Sequence, residues 1–107
     1  SEPTAVAAEM DGLPGAYSLG RIYPNPFNAS AVLPLSVPDF GGEVAVDIFN
    51  ALGQRVRRLH RGGLPAGAVE LVWDGRGDGG HSLASGLYIA RVQAPGFAAV
   101  RRTVLLR

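Results

Sequence analysis

The sequence has no cysteine, and its 107 residues include one tryptophan and one methionine. The absence of cysteine excludes disulfide bonds, thiolate ligands for a metal ion and a cysteine nucleophile. No apolar run approaches the roughly 20 residues that a transmembrane helix requires. The formal net charge of +1 gives no excess that would favour nucleic acid or an anionic membrane as a partner. The length fits one small domain.

Fifteen glycines and eight prolines interrupt the chain at short intervals, as the turns of an all-β protein require. The predicted strands are Tyr17–Ile22, Ala31–Val37, Glu43–Asn50, Gln54–His60, Ala68–Asp74, Gly86–Ala94 and Phe97–Arg107. About seven antiparallel strands at this spacing are typical of an all-β immunoglobulin-like sandwich of two sheets. Residues 1–16 show no alternation, so we predict a linker there and one domain over residues 17–107.

Alternation of apolar and polar residues identifies the strand faces that should point into the core. The sets that share one face are Leu33, Leu35 and Val37; Val44, Val46 and Ile48; Val69, Leu71 and Trp73; and Tyr88, Ala90 and Val92. We assign the first set, Trp73 and Tyr88 to the core. Pro34 cannot donate to a strand ladder, so its strand is predicted to lie at a sheet edge or to be bulged. Val56 and Leu59 differ in parity, which predicts a bulge or one outward-facing side chain.

The residues that an enzyme needs do not occur in a catalytic pattern. No serine has the flanking glycines of a nucleophile elbow, and the nine acidic residues are scattered. Asp74 precedes a glycine-rich segment, Gly75–Ser85, and Asp78 lies within it. The segment could be a calcium loop or a flexible loop without a ligand. The lack of a third acidic ligand favours the flexible loop. We therefore predict no catalytic residue, no cofactor and no metal site.

Several short blocks follow one another in a recognisable order. They are Tyr23–Asn28, Val46–Val56, Leu64–Gly67, Val72–Gly75, Ala84–Tyr88 and the basic, apolar ending Arg101–Arg107. On these blocks the chain, from about Leu13 onward, resembles the type A C-terminal sorting domains of the bacterial type IX (Por) secretion system. Those domains are similar to the Ig-like domain of the flagellar hook-capping protein. The family usually ends in lysines where this chain has arginines, which keeps the charge but changes the geometry of recognition.

The resemblance implies a folded export address on a larger protein. The passenger would precede residue 1, with its export signal, and residues 1–16 would link the two. An outer-membrane translocon would recognise the domain in the periplasm of a Gram-negative bacterium. A sortase-like cysteine peptidase would cut the linker, where unpaired backbone is accessible. The expected location is secreted or at the cell surface, and the expected form is a monomer without nucleic acid or a transmembrane segment.

The residues that a partner could recognise come from the quoted blocks. The candidates are Pro24, Asn25, Pro26, Gly86, Tyr88, Arg101, Arg102 and Arg107. The Pro-Asn-Pro segment is either a rigid recognition feature or a corner that sets the path of the next strand. Tyr88 is either the hydroxyl of a tyrosine corner, bonded to upstream backbone, or a direct contact.

Two further alternatives stay open at this point. Two arginine groups could form one basic patch for an acidic partner or an anionic glycolipid, or could simply be a solvated face. These groups are Arg55, Arg57, Arg58 and Arg61, and Arg101, Arg102 and Arg107. The domain could also be an accessory module of a secreted hydrolase, for stability or carbohydrate binding, or a structural spacer.

Overall fold

The computed structural model describes residues 16–107, so most of the predicted linker lies outside the described residues. The strands are β1 Ser18–Leu19, β2 Ala31–Val37, β3 Glu43–Asn50, β4 Arg55–Gly63, β5 Gly67–Trp73, β6 Gly86–Ala94 and β7 Phe97–Leu105. They form a three-stranded sheet, β1-β2-β5, and a four-stranded sheet, β4-β3-β6-β7. All strand pairs are antiparallel. The predicted all-β sandwich of seven antiparallel strands in two sheets is confirmed.

The core lies between the two sheets and is made by the alternating apolar faces. The same-face sets from β2, β3 and β6 are buried, and in β5 Trp73 is buried while Val69 and Leu71 pack against the core. The core assignment of Leu33, Leu35, Val37, Trp73 and Tyr88 is confirmed. Three aromatic side chains meet in it where β5 ends and β6 begins. The ring centroids of Phe27 and Trp73 are 5.4 Å apart, and those of Trp73 and Tyr88 are 5.3 Å apart. Tilted and edge-on pairs at this distance stabilise a core beyond the burial of their area.

β4 contains the bulge that the parity of Val56 and Leu59 predicted. Register shifts relative to β3 occur at both residues, and each leaves one extra residue on β4. The two shifts allow Val56 and Leu59 to pack against the core although they are an odd number of positions apart.

Pro34 does not lie on an edge strand, so that prediction is wrong. β2 is flanked by β1 and β5. The Gly20 N–H donates to the carbonyl of Pro34 at 2.9 Å, so the nitrogen of Pro34 also points toward the β1 side. β1 has already ended there, because its register stops at Leu19. The N–H that proline lacks would therefore point past the end of β1, where the ladder needs no donor.

Other strand limits also differ from the prediction. The first strand is shorter than Tyr17–Ile22, because the chain leaves the ladder at Gly20. β4 extends to Gly63, which shortens the following loop. The last strand ends at Leu105 rather than Arg107, because its partner β6 begins at Gly86, opposite Leu105.

Asp47 is buried on the outer face of the four-stranded sheet, where its carboxylate lies between two arginines. Its Oδ1 accepts from Arg58 Nε at 3.2 Å, and its Oδ2 lies 3.8 Å from Arg91 Nη2. The Arg91 guanidinium also lies over the ring of Phe49, 4.7 Å from its centroid. The cluster connects β3 with its neighbours β4 and β6.

We expect Asp47→Ala to lower the free energy of unfolding by about 2 kcal/mol, because two arginines lose the acceptor that neutralises them. Urea denaturation measures the loss as a lower midpoint at an unchanged slope. The control is Asp39→Ala in an exposed turn, which should change the midpoint little. Equal midpoints for the two variants would contradict a stabilising role for the cluster.

Thr103 on β7 is fully buried, and its hydroxyl has no hydrogen-bond partner among the described residues. We expect Thr103→Val to raise the free energy of unfolding by about 1 kcal/mol, since a buried hydroxyl without a partner costs stability. Thr103→Ala serves as the control, because it also removes a methyl group and should destabilise. A lower melting temperature for Thr103→Val would mean that the hydroxyl does have a partner.

Candidate recognition surface

The segment Tyr23–Asn28, here called the crossing segment, passes from one sheet to the other. At its start Tyr23 exchanges two backbone hydrogen bonds with Val32 of β2, at 3.1 and 2.7 Å. At its end the N–H of Phe27 donates to the carbonyl of Val104, and the N–H of Leu106 donates to the carbonyl of Phe27, at 2.9 and 2.8 Å. The crossing segment therefore ties β2 to the end of β7.

Asn25 continues this pairing with its side chain. The N–H of Val104 donates to Asn25 Oδ1 at 2.9 Å, and Asn25 Nδ2 donates to the carbonyl of Arg102 at 3.4 Å. The carboxamide therefore occupies backbone groups that a neighbouring strand would otherwise use. Pro24 and Pro26 stand on either side of it, both exposed and both preceded by a cis peptide bond.

The candidates near the two ends of the domain are thus brought together. A concave surface that encloses a volume of about 500 Å³ is lined by Arg21, Ile22, Tyr23, Asn25, Arg101 and Arg102. Arg101 lies at the join between the sheets: its guanidinium donates to the carbonyls of Leu19 in β1 and Val100 in β7. The Arg102 side chain is exposed.

The electrostatics of this concave surface are dominated by positive charge. Within residues 16–107, no carboxylate lies within 4.0 Å of the guanidinium of Arg21, Arg101 or Arg102. Glu70 on β5 accepts a hydrogen bond from the Tyr23 hydroxyl at 2.9 Å. This bond to Glu70 raises the pKa of Tyr23 above its ordinary value, because the neutral phenol is the donor.

Tyr88 does not line this surface and is buried. Its hydroxyl donates to the carbonyl of Ala84 at 2.7 Å, and its side chain is buried against Trp73. The predicted tyrosine corner is confirmed. Gly86 opens β6 two residues earlier.

Arg107 fixes the glycine-rich loop that follows β5. Its Nη2 donates to the carbonyl of Gly75 at 2.7 Å and its Nε donates to that of Leu83 at 2.8 Å. Gly75 has a φ of +74°, and a Cβ there would lie 2.9 Å from the Arg107 guanidinium. The positive φ favours glycine at this position, and a Cβ there would displace the Arg107 guanidinium.

The two carboxylates of this loop already have partners in the protein. Asp74 accepts from the N–H of Arg76 and lies 3.6 Å from Arg57 Nη1. Asp78 accepts from the N–H of Arg58 at 2.8 Å. These contacts tie the loop to β4. Over residues 16–107, no group of three or more potential metal ligands comes together.

Arg101 and Arg102 do not form one patch with the arginines of β4, whereas Arg107 contacts the same loop as Arg57. β4, with Arg55, Arg57, Arg58 and Arg61, lies at the opposite edge of the sheet from β7. Arg101 and Arg102 are therefore separated from them by two strands. Sequence reasoning missed Arg21 and Tyr23 as neighbours of Arg102, because only the path of the crossing segment brings them to β7.

Two packed antiparallel sheets and a tyrosine corner are the features of an immunoglobulin-like domain. The chain belongs to the family of FlgD Ig-like domains, whose family model matches residues 27–96. Curated protein sequences give no match to it. Of the described residues, none form a helix long and apolar enough to cross a membrane.

Two solved structures that are similar to this chain come from Porphyromonas gingivalis. Dimeric latent PorU is similar over 90% of this chain and 10% of its own, with a TM-score of 0.65 and 23% identity. PorZ, an essential surface component of the type-IX secretion system, is similar over 94% of this chain and 12% of its own, with a TM-score of 0.58 and 23% identity. The alkylpurine DNA glycosylase AlkC from Pseudomonas fluorescens has a TM-score of 0.52 and 15% identity, over 96% of this chain and 34% of its own. The chain thus spans a small part of these proteins, and the likeness is one of fold.

We expect Asn25→Ala to expose the Val104 amide, because the side chain that accepts its hydrogen bond is gone. Loss of about 1 kcal/mol of local protection corresponds to roughly fivefold faster amide hydrogen exchange. Exchange measured by NMR tests this, with Asn28→Ala as the matched control on the same segment. Unchanged exchange at Val104 in Asn25→Ala would contradict the pairing role of Asn25.

Proposed function

We propose that this chain is a non-catalytic C-terminal sorting domain that directs a larger protein across the outer membrane to the cell surface. The observation that carries the proposal is the pairing of the crossing segment with β7. It unites the Tyr23–Asn28 block and the basic ending, which are far apart in sequence, in a single exposed surface. Membership of the FlgD Ig-like domain family and the likeness of fold to PorZ, a type-IX secretion component, support it.

Within this proposal the candidate residues divide into two roles. Pro24, Pro26 and Arg102 are exposed and would contact the outer-membrane translocon directly. Asn25 and Arg101 position that surface by binding backbone carbonyls and amides. In the rest of the domain, three of the candidates maintain the loop and the start of β6: Gly86, Tyr88 and Arg107.

The polar side chains described above bind backbone groups or each other. A domain that other proteins recognise needs a fixed surface rather than a reactive one. It would act as a monomer, joined to its passenger through residues 1–16, where a sortase-like cysteine peptidase would cut.

Fusion of a periplasmic reporter to the N-terminus of this chain, behind a signal peptide, tests the proposal in a Gram-negative host with a type IX system. We expect the reporter at the cell surface. Arg102→Glu should retain most of it in the periplasm, because the exposed charge facing the translocon is reversed. Arg55→Glu on the opposite sheet edge is the control and should leave export unchanged.

Both variants should fold, because neither side chain makes a hydrogen bond to a described residue, and circular dichroism of the purified domains checks this. Periplasmic retention of the unmodified fusion would contradict the proposed function. Equal export of the two variants would contradict the place assigned to the recognition surface.

A further inference from the structure

One stretch of the edge of β7 pairs with no other strand of the described fold. Both the N–H and the carbonyl of Val104 point away from β6, since they bind Asn25 and Phe27. The backbone groups of an antiparallel strand alternate in direction, so Ala98, Val100 and the N–H of Arg102 point the same way. β7 pairs with β6 alone. The Asn25 side chain covers only the part of this edge from the carbonyl of Arg102 to the N–H of Val104.

The other strand edges differ from this one. β1 has two residues, and β4 carries two register shifts that interrupt a regular line of backbone groups. Bulged or very short edges resist the addition of another strand. β7 pairs with β6 over nine consecutive residues without a shift. β5 is regular as well, but Glu70 is its single charged side chain.

The open stretch of β7 lies beside concentrated positive charge. Arg101 and Arg102 belong to it, and Arg21 lines the same concave surface. Arg101 uses one donor on Leu19 and one on Val100, which leaves three of its five N–H groups for another acceptor. Val100, between Ala98 and Arg102 on the same edge, is 54% exposed.

We propose that the β7 edge from Ala98 to Arg102 binds an extended acidic segment of a partner protein by strand addition. The segment's carbonyls would accept from the open N–H groups of Val100 and Arg102, and its carboxylates would face the arginines. A free anion would engage only the arginines and leave the backbone groups unpaired, which is why the geometry favours a peptide. This inference rests on the proposed function, since it specifies the kind of segment that the sorting surface takes.

NMR titration of the 15N-labelled chain with a short capped peptide of alternating glutamate and valine tests the inference. We expect saturable shifts centred on the Val100 and Arg102 amides, weakened by salt. A peptide with lysine for glutamate, and one N-methylated at alternate backbone nitrogens, should both bind at least about tenfold more weakly. Binding of the N-methylated peptide or of inorganic phosphate with the same shifts and affinity would overturn strand addition, as would no binding.

Two variants locate the site on the chain. Arg102→Glu should lower the affinity for the glutamate peptide by at least about tenfold, and Arg55→Glu should not change it. Val100→Pro removes an outward N–H at a position where an edge strand tolerates proline, and should also weaken binding. Unchanged affinity in both β7 variants would overturn the inference.

The reporter fusion separates this inference from the proposed function. Export of the reporter without peptide binding would remove the inference and leave the sorting role. Peptide binding with the reporter retained in the periplasm would remove the sorting role and leave the binding site.

Discussion

The backbone pairing of Phe27 with the end of β7 is the constraint on which the arrangement of this domain depends. Phe27 lies between the sheets, buried against Trp73, and its own N–H and carbonyl bind Val104 and Leu106. A buried aromatic ring and two hydrogen bonds at one residue fix the position of the whole crossing segment. Asn25 then reaches the β7 edge, and Arg21 is carried to the side of Arg102.

Most polar groups of the domain serve the backbone rather than chemistry. The tyrosine corner of Tyr88 and the clamp of Arg107 hold the segment between β5 and β6, whose own turns would otherwise leave several carbonyls unpaired. Trp73 contributes from the core side, since its indole N–H donates to the carbonyl of Arg76 at 2.9 Å. The result is a domain whose exposed features are held in fixed positions, as recognition by another protein requires.

The sequence was sufficient for the strands with strong alternation and for the role of Tyr88. Val44, Val46 and Ile48 needed only period-two alternation, and Tyr88 only its place after a long loop. The position of Pro34 could not be predicted in the same way, because it depends on where β1 stops. The hydrogen bonds between Asn25 and β7 could not be predicted either, since a side chain that takes the place of a neighbouring strand leaves no periodic pattern in the sequence. Sequence motifs named Tyr23, Asn25, Arg101 and Arg102. Arg21 and Ile22 join them only through the path of the chain into the crossing segment.

The central claim is that the crossing segment and β7 form one surface that an outer-membrane partner contacts during export. Photo-cross-linking in cells tests it most directly, with a photoreactive amino acid at position 24, 102 or 55 of an exported fusion. The account predicts cross-links to the same outer-membrane protein from positions 24 and 102, and none from position 55 on β4. Cross-links from position 55 alone, or to different proteins from positions 24 and 102, would contradict it.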